Sequence, residues 1–453
     1  MIRRALFRNF NIIYRFSQWT RKRFTPAGQL VLGGLVFSGI FGIDTRQTMS
    51  FQVFSLLLAL LILAVLSCLV FRGRFTVKRH LPEYATAGIP VKYQMTLTNL
   101  TNKKQSSLKI IDALDNPLPE FADFMASARD DRSRNWFDRM VGYPRWLLLM
   151  QKKRGGIIRP LFIEEIIAGN SMKYDIELKP LRRGYIKFAH STLLRPDPAN
   201  IFYSAKTIDN KDKLLILPKR YKLPHFSLPG KRKYQRGGIN YAGSVGDSEE
   251  FISLRDYRPG DPLRKIHWRS LAKTNKPVVK EYQDEYFMRT ALMLDTFTGN
   301  IPGKIFEEAV SVAASIISQP IKQDSLLDLM FIGAESYLVS AGRNIGNIQR
   351  SLEILACVEP CNDKPFRYLS TLVIKNINRL SSLICILINW DNDRQQLLEK
   401  IEKTDIPFFA FLIVESKNDV PDTVHHFINN KKLLPLQYDS IEDDIKNITA
   451  CMQ

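Results

Sequence analysis

The chain has 453 residues, 45% apolar and 24% charged, the ordinary balance of a folded protein and long enough for two or three domains. Its formal net charge is +20, and its five cysteines make no even framework. That count excludes a secreted, disulfide-built module and points to a cytoplasmic body.

The charge is uneven. Residues 1–80 hold 12 Lys/Arg against one acid, Asp44, a local +11, and the other 373 residues share +9. Charge gathered beside apolar segments points to a membrane surface before nucleic acid. Phe51–Phe71 is 21 residues without a charge, long enough to cross a hydrocarbon core of roughly 30 Å. Ala27–Ile43 has 17 residues, at the short end of that range, with Thr25 as N-cap and Pro26 as first helical residue. Gly34, Ser38 and Gly42 form the small-residue stripe that lets two membrane helices approach. The expected arrangement is a basic segment 1–24 and a two-helix transmembrane hairpin 25–72, against the alternative of one span plus a buried helix. Arg3, Arg4, Arg8, Arg15, Arg21, Lys22 and Arg23 precede the first span, and Arg72, Arg74, Lys78 and Arg79 follow the second. The loop between them carries one Arg and one Asp, so the positive-inside rule puts both termini and the soluble domains in the cytoplasm. The basic lead is too long for a cleaved signal peptide, and no small-residue cleavage site follows the apolar run.

Residues 73–216 read as short strands. Val91, Tyr93, Met95 and Leu97 alternate with Lys92, Gln94, Thr96 and Thr98, the half-buried antiparallel pattern. A small immunoglobulin-like β-sandwich closes such a set. The insertion 121–160 interrupts it and, between Arg129 and Arg159, holds nine Lys/Arg against three Asp. Trp136, Tyr143 and Trp146 are interleaved with those charges, which suits three readings: a helical flap packed by its apolar face, an interfacial membrane contact, or a single-stranded nucleic-acid surface.

A connector, 217–245, carries Pro218, Pro224 and Pro229. Residues 246–285 then concentrate turn, cap and charge signals. Phe251–Tyr257 reads as a strand, Pro259-Gly260 as a turn, Asp261 as N-cap of a helix Leu263–Ala272, and Pro277–Tyr282 as a returning strand. Asp256, Asp261, Arg264, His267 and Arg269 are capable of chemistry, yet the sequence supplies neither an orienting group nor a pocket. A recognition surface or structural bracing accounts for them without catalysis. From residue 286 strands and helices alternate: strand Arg289–Leu294, helix Lys304–Ser318, strand Leu326–Ile332, a short strand Tyr337–Ser340, and so on to strand Phe408–Val414 and beyond. Uninterrupted apolar strands alternating with helices predict a parallel, Rossmann-type sheet covered on both faces, with ligands at the strands' carboxyl ends. Cys357 and Cys361 lack a second Cys/His pair and read as core thiols rather than zinc ligands.

The 246–285 stretch resembles the signature of the bacterial domain-of-unknown-function fifty-eight family, as do Arg183-Gly184-Tyr185 and Asp197-Pro198. The resemblance implies an inner-membrane protein with a C-terminal domain, 286–453, similar to the von Willebrand factor A type. Such domains often bind Mg²⁺ through an Asp-x-Ser-x-Ser motif and a distant Asp. Asp295 and Asp391 match, but Phe297 and Gly299 stand where hydroxyls belong, so the expected site is degraded. Relatives are linked to AAA+ ATPases of the MoxR class, which implies a non-catalytic scaffold docking a protein partner through Arg255, Asp256, Arg258, Asp261, Arg264, His267 and Trp268. No phosphate-binding Gly-Lys loop occurs here, so ATP use belongs to a partner. No other cofactor, small-molecule substrate or specific nucleic acid is expected. The competing readings are a membrane-bound hydrolase using Asp261, His267 and Asp295, and an anionic-surface binder working through the basic insertion.

Overall fold

The computed structural model describes residues 2–41, 48–69, 73–126, 135–223, 233–234, 250–261, 263, 266–283, 286–299, 301–319, 325–341, 345–416 and 420–446. Two compact units divide the chain, Met1–Leu217 and Pro218–Gln453.

The first unit opens with helices α1 (Ile2–Arg23), α2 (Pro26–Phe41) and α3 (Thr48–Leu69). The basic N-terminal segment is thus a 22-residue helix, and its Phe7, Phe10 and Tyr14 recur at helical spacing on one packed face. Among the described residues, Met49–Cys68 is the one stretch long and apolar enough to cross a bilayer. Helix α2 has 16 described residues, fewer than a span needs, and residues 42–47 lie outside the described residues, so the expected second span is not shown by length. Glycines do bring the two helices together. A Cβ on Gly34 would stand 3.2 Å from Leu57 Cδ1, and one on Gly39 3.3 Å from Phe54 Cε2. Ser38 is buried, and Gly42 lies outside the described residues.

Next come β1 (Phe75–His80), β2 (Tyr84–Thr86), β3 (Val91–Asn99), β4 (Gln105–Leu114), α4 (Phe121–Ala126), α5 (Trp136–Val141), α6 (Tyr143–Lys153), β5 (Gly156–Ile158), β6 (Leu161–Ile166), β7 (Ser171–Pro180), β8 (Gly184–Pro196) and β9 (Tyr203–Leu217). They form two sheets, β1-β3-β7-β5 and β2-β9-β8-β4-β6. The alternation read in Val91–Leu100 buries Tyr93, Met95 and Leu97, which meet Leu108, Ile110, Phe188 and Leu193 of the other sheet in one core. The insertion is helical. Its Phe124, Trp146 and Leu149 pack on Phe7 of α1, so the flap closes on the N-terminal helix.

The second unit contains β10 (Lys233–Tyr234), β11 (Glu250–Asp256), α7 (Trp268–Thr274), β12 (Val278–Gln283), β13 (Tyr286–Leu294), α8 (Gly303–Ile317), β14 (Ser325–Ile332), β15 (Ser336–Ala341), α9 (Ile345–Cys357), α10 (Arg367–Asn376), β16 (Ser382–Leu387), α11 (Asn392–Glu402), β17 (Phe408–Val414), α12 (His425–Asn429), β18 (Leu433–Gln437) and α13 (Ile441–Lys446). Strands β11 and β12 form an antiparallel hairpin. The main sheet runs β15-β14-β13-β16-β17-β18, with β10 also pairing β13. Strands β14, β13, β16, β17 and β18 are mutually parallel, and β15 is antiparallel to β14. Every residue of β16 is buried, as expected for a strand covered on both faces. The chain order of strands therefore reverses at β13 and β16, which places a topological switch point at their carboxyl ends.

Candidate functional site

Strand β13 ends at Leu294, and Asp295 follows at that switch point, completely buried. Its Oδ1 accepts the Phe297 amide at 3.0 Å and its Oδ2 the Ile388 amide at 3.4 Å. The remaining valence goes to Arg394, whose Nε donates to Asp295 Oδ2 at 2.6 Å. Arg394 Nη1 donates to Asp391 Oδ2, and Nη2 to the Phe297 carbonyl at 3.2 Å. The Phe366 ring lies 4.5 Å under the guanidinium carbon. Asp391 is also the N-cap of α11, its Oδ1 accepting the Arg394 amide at 3.0 Å. The two acids expected to share an ion are thus brought together, with a guanidinium between them.

Burial works against that cation, and the Asp295 and Asp391 carboxylates outweigh it, holding Arg394 above the ordinary arginine range. These residues do not fit a divalent ion. Arg394 supplies the positive charge and takes oxygens that Mg²⁺ would need. The neighbouring hydroxyls are one position out of register for the motif. Thr296 Oγ1 donates to the Ile332 carbonyl at 2.6 Å, and Thr298 Oγ1 to Asn362 Oδ1 at 2.9 Å. Among the described residues, no three His, Cys, Asp or Glu side chains gather round a common point. Arg394 was missed in the sequence; its signal was the Asp391-x-x-Arg394 spacing across a helix start.

The signature hairpin shows a second arginine clip. Arg255 Nη1 and Nη2 donate to the two oxygens of Asp261 at 2.7 and 2.8 Å, and the Arg258 amide adds a bond of 2.9 Å. Helix α7 starts at Trp268 with His267 in the N-cap position, later than the expected Leu263, so Asp261 is not the cap of α7. Hydrogen bonding from Arg255, then from the Arg258 amide, lowers the Asp261 pKa to about 2. His267 Nδ1 lies 2.6 Å from Ser270 Oγ. Asp261, His267 and Asp295, the acids and base of the hydrolase reading, are each held by a different partner. Asp256 and Arg258 are exposed; Arg264 lies outside the described residues. Leu254, Leu263 and Trp268 are exposed too, Trp268 at 62%.

In the first unit, Asp197 builds a fixed corner. Its carboxylate accepts the amides of Ala199, Ile201 and Phe202 at 3.0, 2.6 and 2.7 Å. The corner's outward carbonyls then receive the start of α2, and its Ser204 the end of α3. Buried Thr25 donates its amide to the Ile201 carbonyl at 3.1 Å and its hydroxyl to the Asn200 carbonyl at 2.5 Å. The same hydroxyl caps α2 by accepting the Gly28 amide at 2.9 Å, as predicted. Glycine is required at 28, since a Cβ would stand 1.9 Å from the Ile201 carbonyl oxygen. At the end of α3, Ser204 Oγ donates to the Cys68 carbonyl at 3.2 Å. In the flap, Trp146 is buried, its indole N–H donating to Asn11 Oδ1 at 3.0 Å, so it packs α1 instead of facing lipid. Tyr143 and Trp136 remain exposed.

Residues 253–387 match the family described as Protein of unknown function DUF58. The chain is 25% identical over 193 residues to the "Uncharacterized protein YeaD" of Bacillus subtilis (strain 168), covering 41% of this chain. It spans 46% of that relative's length. Solved structures with some likeness include a Salmonella alpha-2-macroglobulin mutant, at 10% identity and TM-score 0.18, covering 35% of this chain and 8% of that one. Another is a PapD-like domain of human CEP192, at 11% identity and TM-score 0.17, covering 31% of this chain and 82% of that one. At such scores neither bears on this chain's function.

Proposed function

We propose that the chain is a membrane-anchored, non-catalytic scaffold whose α/β unit docks a protein partner, an AAA+ ATPase of the MoxR class by resemblance. The observation that carries this reading is the signature hairpin. The Arg255–Asp261 clip stiffens a turn beside exposed Leu254, Leu263 and Trp268, with exposed Arg258 and Arg269 at hand. Exposed Trp and Arg on a stiffened frame are the residue types that dominate protein interfaces. The strand order of the second unit, with its antiparallel edge strand, fits a von Willebrand factor A-type domain, and the paired sheets of the first fit an immunoglobulin-like sandwich. In this reading Arg394 replaces the metal, so docking needs no divalent ion. Helices α2 and α3 form the inner-membrane hairpin, with both termini and the soluble domains in the cytoplasm.

The test is affinity purification of the full-length protein from detergent-solubilised membranes, with ATP and with or without EDTA. An AAA+ ATPase that co-purifies in both conditions, and is lost in a Leu263→Ser, Trp268→Ala variant that still folds, is the expected result. Retention of the ATPase by that variant would exclude the hairpin as the docking surface.

A further inference from the structure

The helix α1 carries two different faces. Phe7, Phe10 and Tyr14 seat it on the flap, and the other side holds Ile12, Ile13, Phe16 and Trp19, which are 50–64% exposed. Ile12, Phe16 and Trp19 fall at i, i+4 and i+7, a single apolar stripe. Exposed Arg8 lies four residues before Ile12 and exposed Arg15 three after it, so cations flank the stripe. The helix contains no acidic residue. The flap seated on α1 exposes Trp136 at 69% and Phe137 at 60%.

Where this helix ends decides its partner. Phe24, immediately after α1, pairs with Phe202, and Cys68 at the end of α3 donates its thiol to the Phe202 carbonyl at 3.8 Å. The carboxyl ends of α1 and of the long apolar helix α3 are therefore tied to one sandwich corner. If α3 crosses the bilayer, that corner lies at its boundary, and the apolar stripe begins within three turns of it. At 1.5 Å per residue, α1 extends about 33 Å from that point.

From this geometry we infer that α1, together with Trp136 and Phe137 of the flap, binds the surface of an anionic lipid leaflet. The apolar stripe enters the headgroup–acyl boundary and the arginines meet lipid phosphates. The inference rests on the membrane-anchor reading and adds a second, interfacial contact to it. Tryptophan suits this depth because its ring is apolar and its N–H is polar.

The experiment uses the full chain in lipid nanodiscs whose acyl chains are brominated near the headgroup, made from phosphatidylcholine alone or with phosphatidylglycerol. Bromine quenches only tryptophan at lipid depth. Strong quenching in anionic discs that is lost in the Trp19→Phe, Trp136→Phe variant is the expected result, with weaker quenching in neutral discs. Unchanged quenching in that variant overturns the inference, and equal quenching in both lipids overturns the choice of an anionic surface. Carbonate washing of native membranes separates the two readings. A protein that washes off refutes the anchor and this inference with it, whereas a retained protein without Trp19- and Trp136-dependent quenching refutes the interfacial contact alone.

Discussion

Arg79 in the first unit and Arg394 in the second are each buried between two carboxylates, one sealed and one partly open to water. Asp112 and Asp295 are the sealed partners, while the side chains of Asp212 and Asp391 are 36% and 43% exposed. Arg79 makes its bonds in the middle of a core. Its Nε and Nη2 meet the two oxygens of Asp112 at 2.8 and 2.6 Å, its Nη1 reaches Asp212 at 2.8 Å, and Tyr93 Oη adds a bond to Asp112 at 2.6 Å. Arg79 and Tyr93 belong to one sheet, and Asp112 and Asp212 to the other, so the cluster ties the two layers together. Arg394 makes similar bonds at a strand edge, where sheets of this topology bind ligands. The electrostatics are alike and the places differ. One arginine fastens two sheets, and the other sits between the two acids that were expected to share an ion.

The largest effect should come from breaking the central cluster. Asp112→Ala leaves Arg79 and the Tyr93 hydroxyl buried without their main acceptor. Unpairing a buried ion costs about 3–5 kcal/mol. Guanidinium unfolding of the detergent-solubilised protein, followed by circular dichroism, should show that loss. Replacing both partners, Arg79→Met with Asp112→Leu, should recover most of it, because the desolvation penalty of both charges is then removed. A loss below about 1 kcal/mol in Asp112→Ala would mean that apolar packing alone holds the sheets.

Arg394→Ala should cost somewhat less, about 3 kcal/mol, because Asp391 regains water while only Asp295 is left sealed. The sharper measurement is the response to Mg²⁺. The wild-type melting temperature should not move with added Mg²⁺, while Arg394→Ser, with two carboxylates and a hydroxyl in place of the cation, should gain a Mg²⁺-dependent rise. A wild-type melting temperature that climbs with Mg²⁺ would break the comparison, since the guanidinium would then coexist with an ion.

The difference between the two arginines also marks where sequence reading stopped. Strands β13, β16 and β17 were legible because parallel strands buried on both faces are continuous apolar runs, and Phe408–Val414 has the expected limits. Asp295 and Asp391 were singled out by the resemblance to an A-type domain, whose metal motif places two acids after strands of the sheet. Arg394 was not, because its partner Asp295 lies 99 residues away, and the Asp391-x-x-Arg394 spacing marks a helix start without marking the arginine as buried. The cap assigned to Asp261 failed for a related reason: a carboxylate near a helix start can turn back to an arginine six residues earlier. Helix α1 had its signal in the spacing of Phe7, Phe10 and Tyr14, but its arginines drew the reading to topology instead.

The third arginine–carboxylate pair extends the series to the surface and carries the smallest expected effect. Arg255 and Asp261 both keep solvent contact, so water and salt screen their attraction. Protonation, more than unfolding, reports on this pair. An unfolded aspartate takes up its proton near pH ~3.9, whereas Asp261 in the clip does so at about 2. The fold therefore favours the ionised form. Its contribution is complete above the unfolded value and is lost as the pH falls through about 2. A ¹³C-carboxyl titration of Asp261 should show that low midpoint, and Arg255→Gln should move it up toward the ordinary value. A wild-type midpoint already at the ordinary value would mean that the clip is open in solution. The hairpin would then owe its rigidity to the β11–β12 pairing, and the docking surface would lose its stiffened turn.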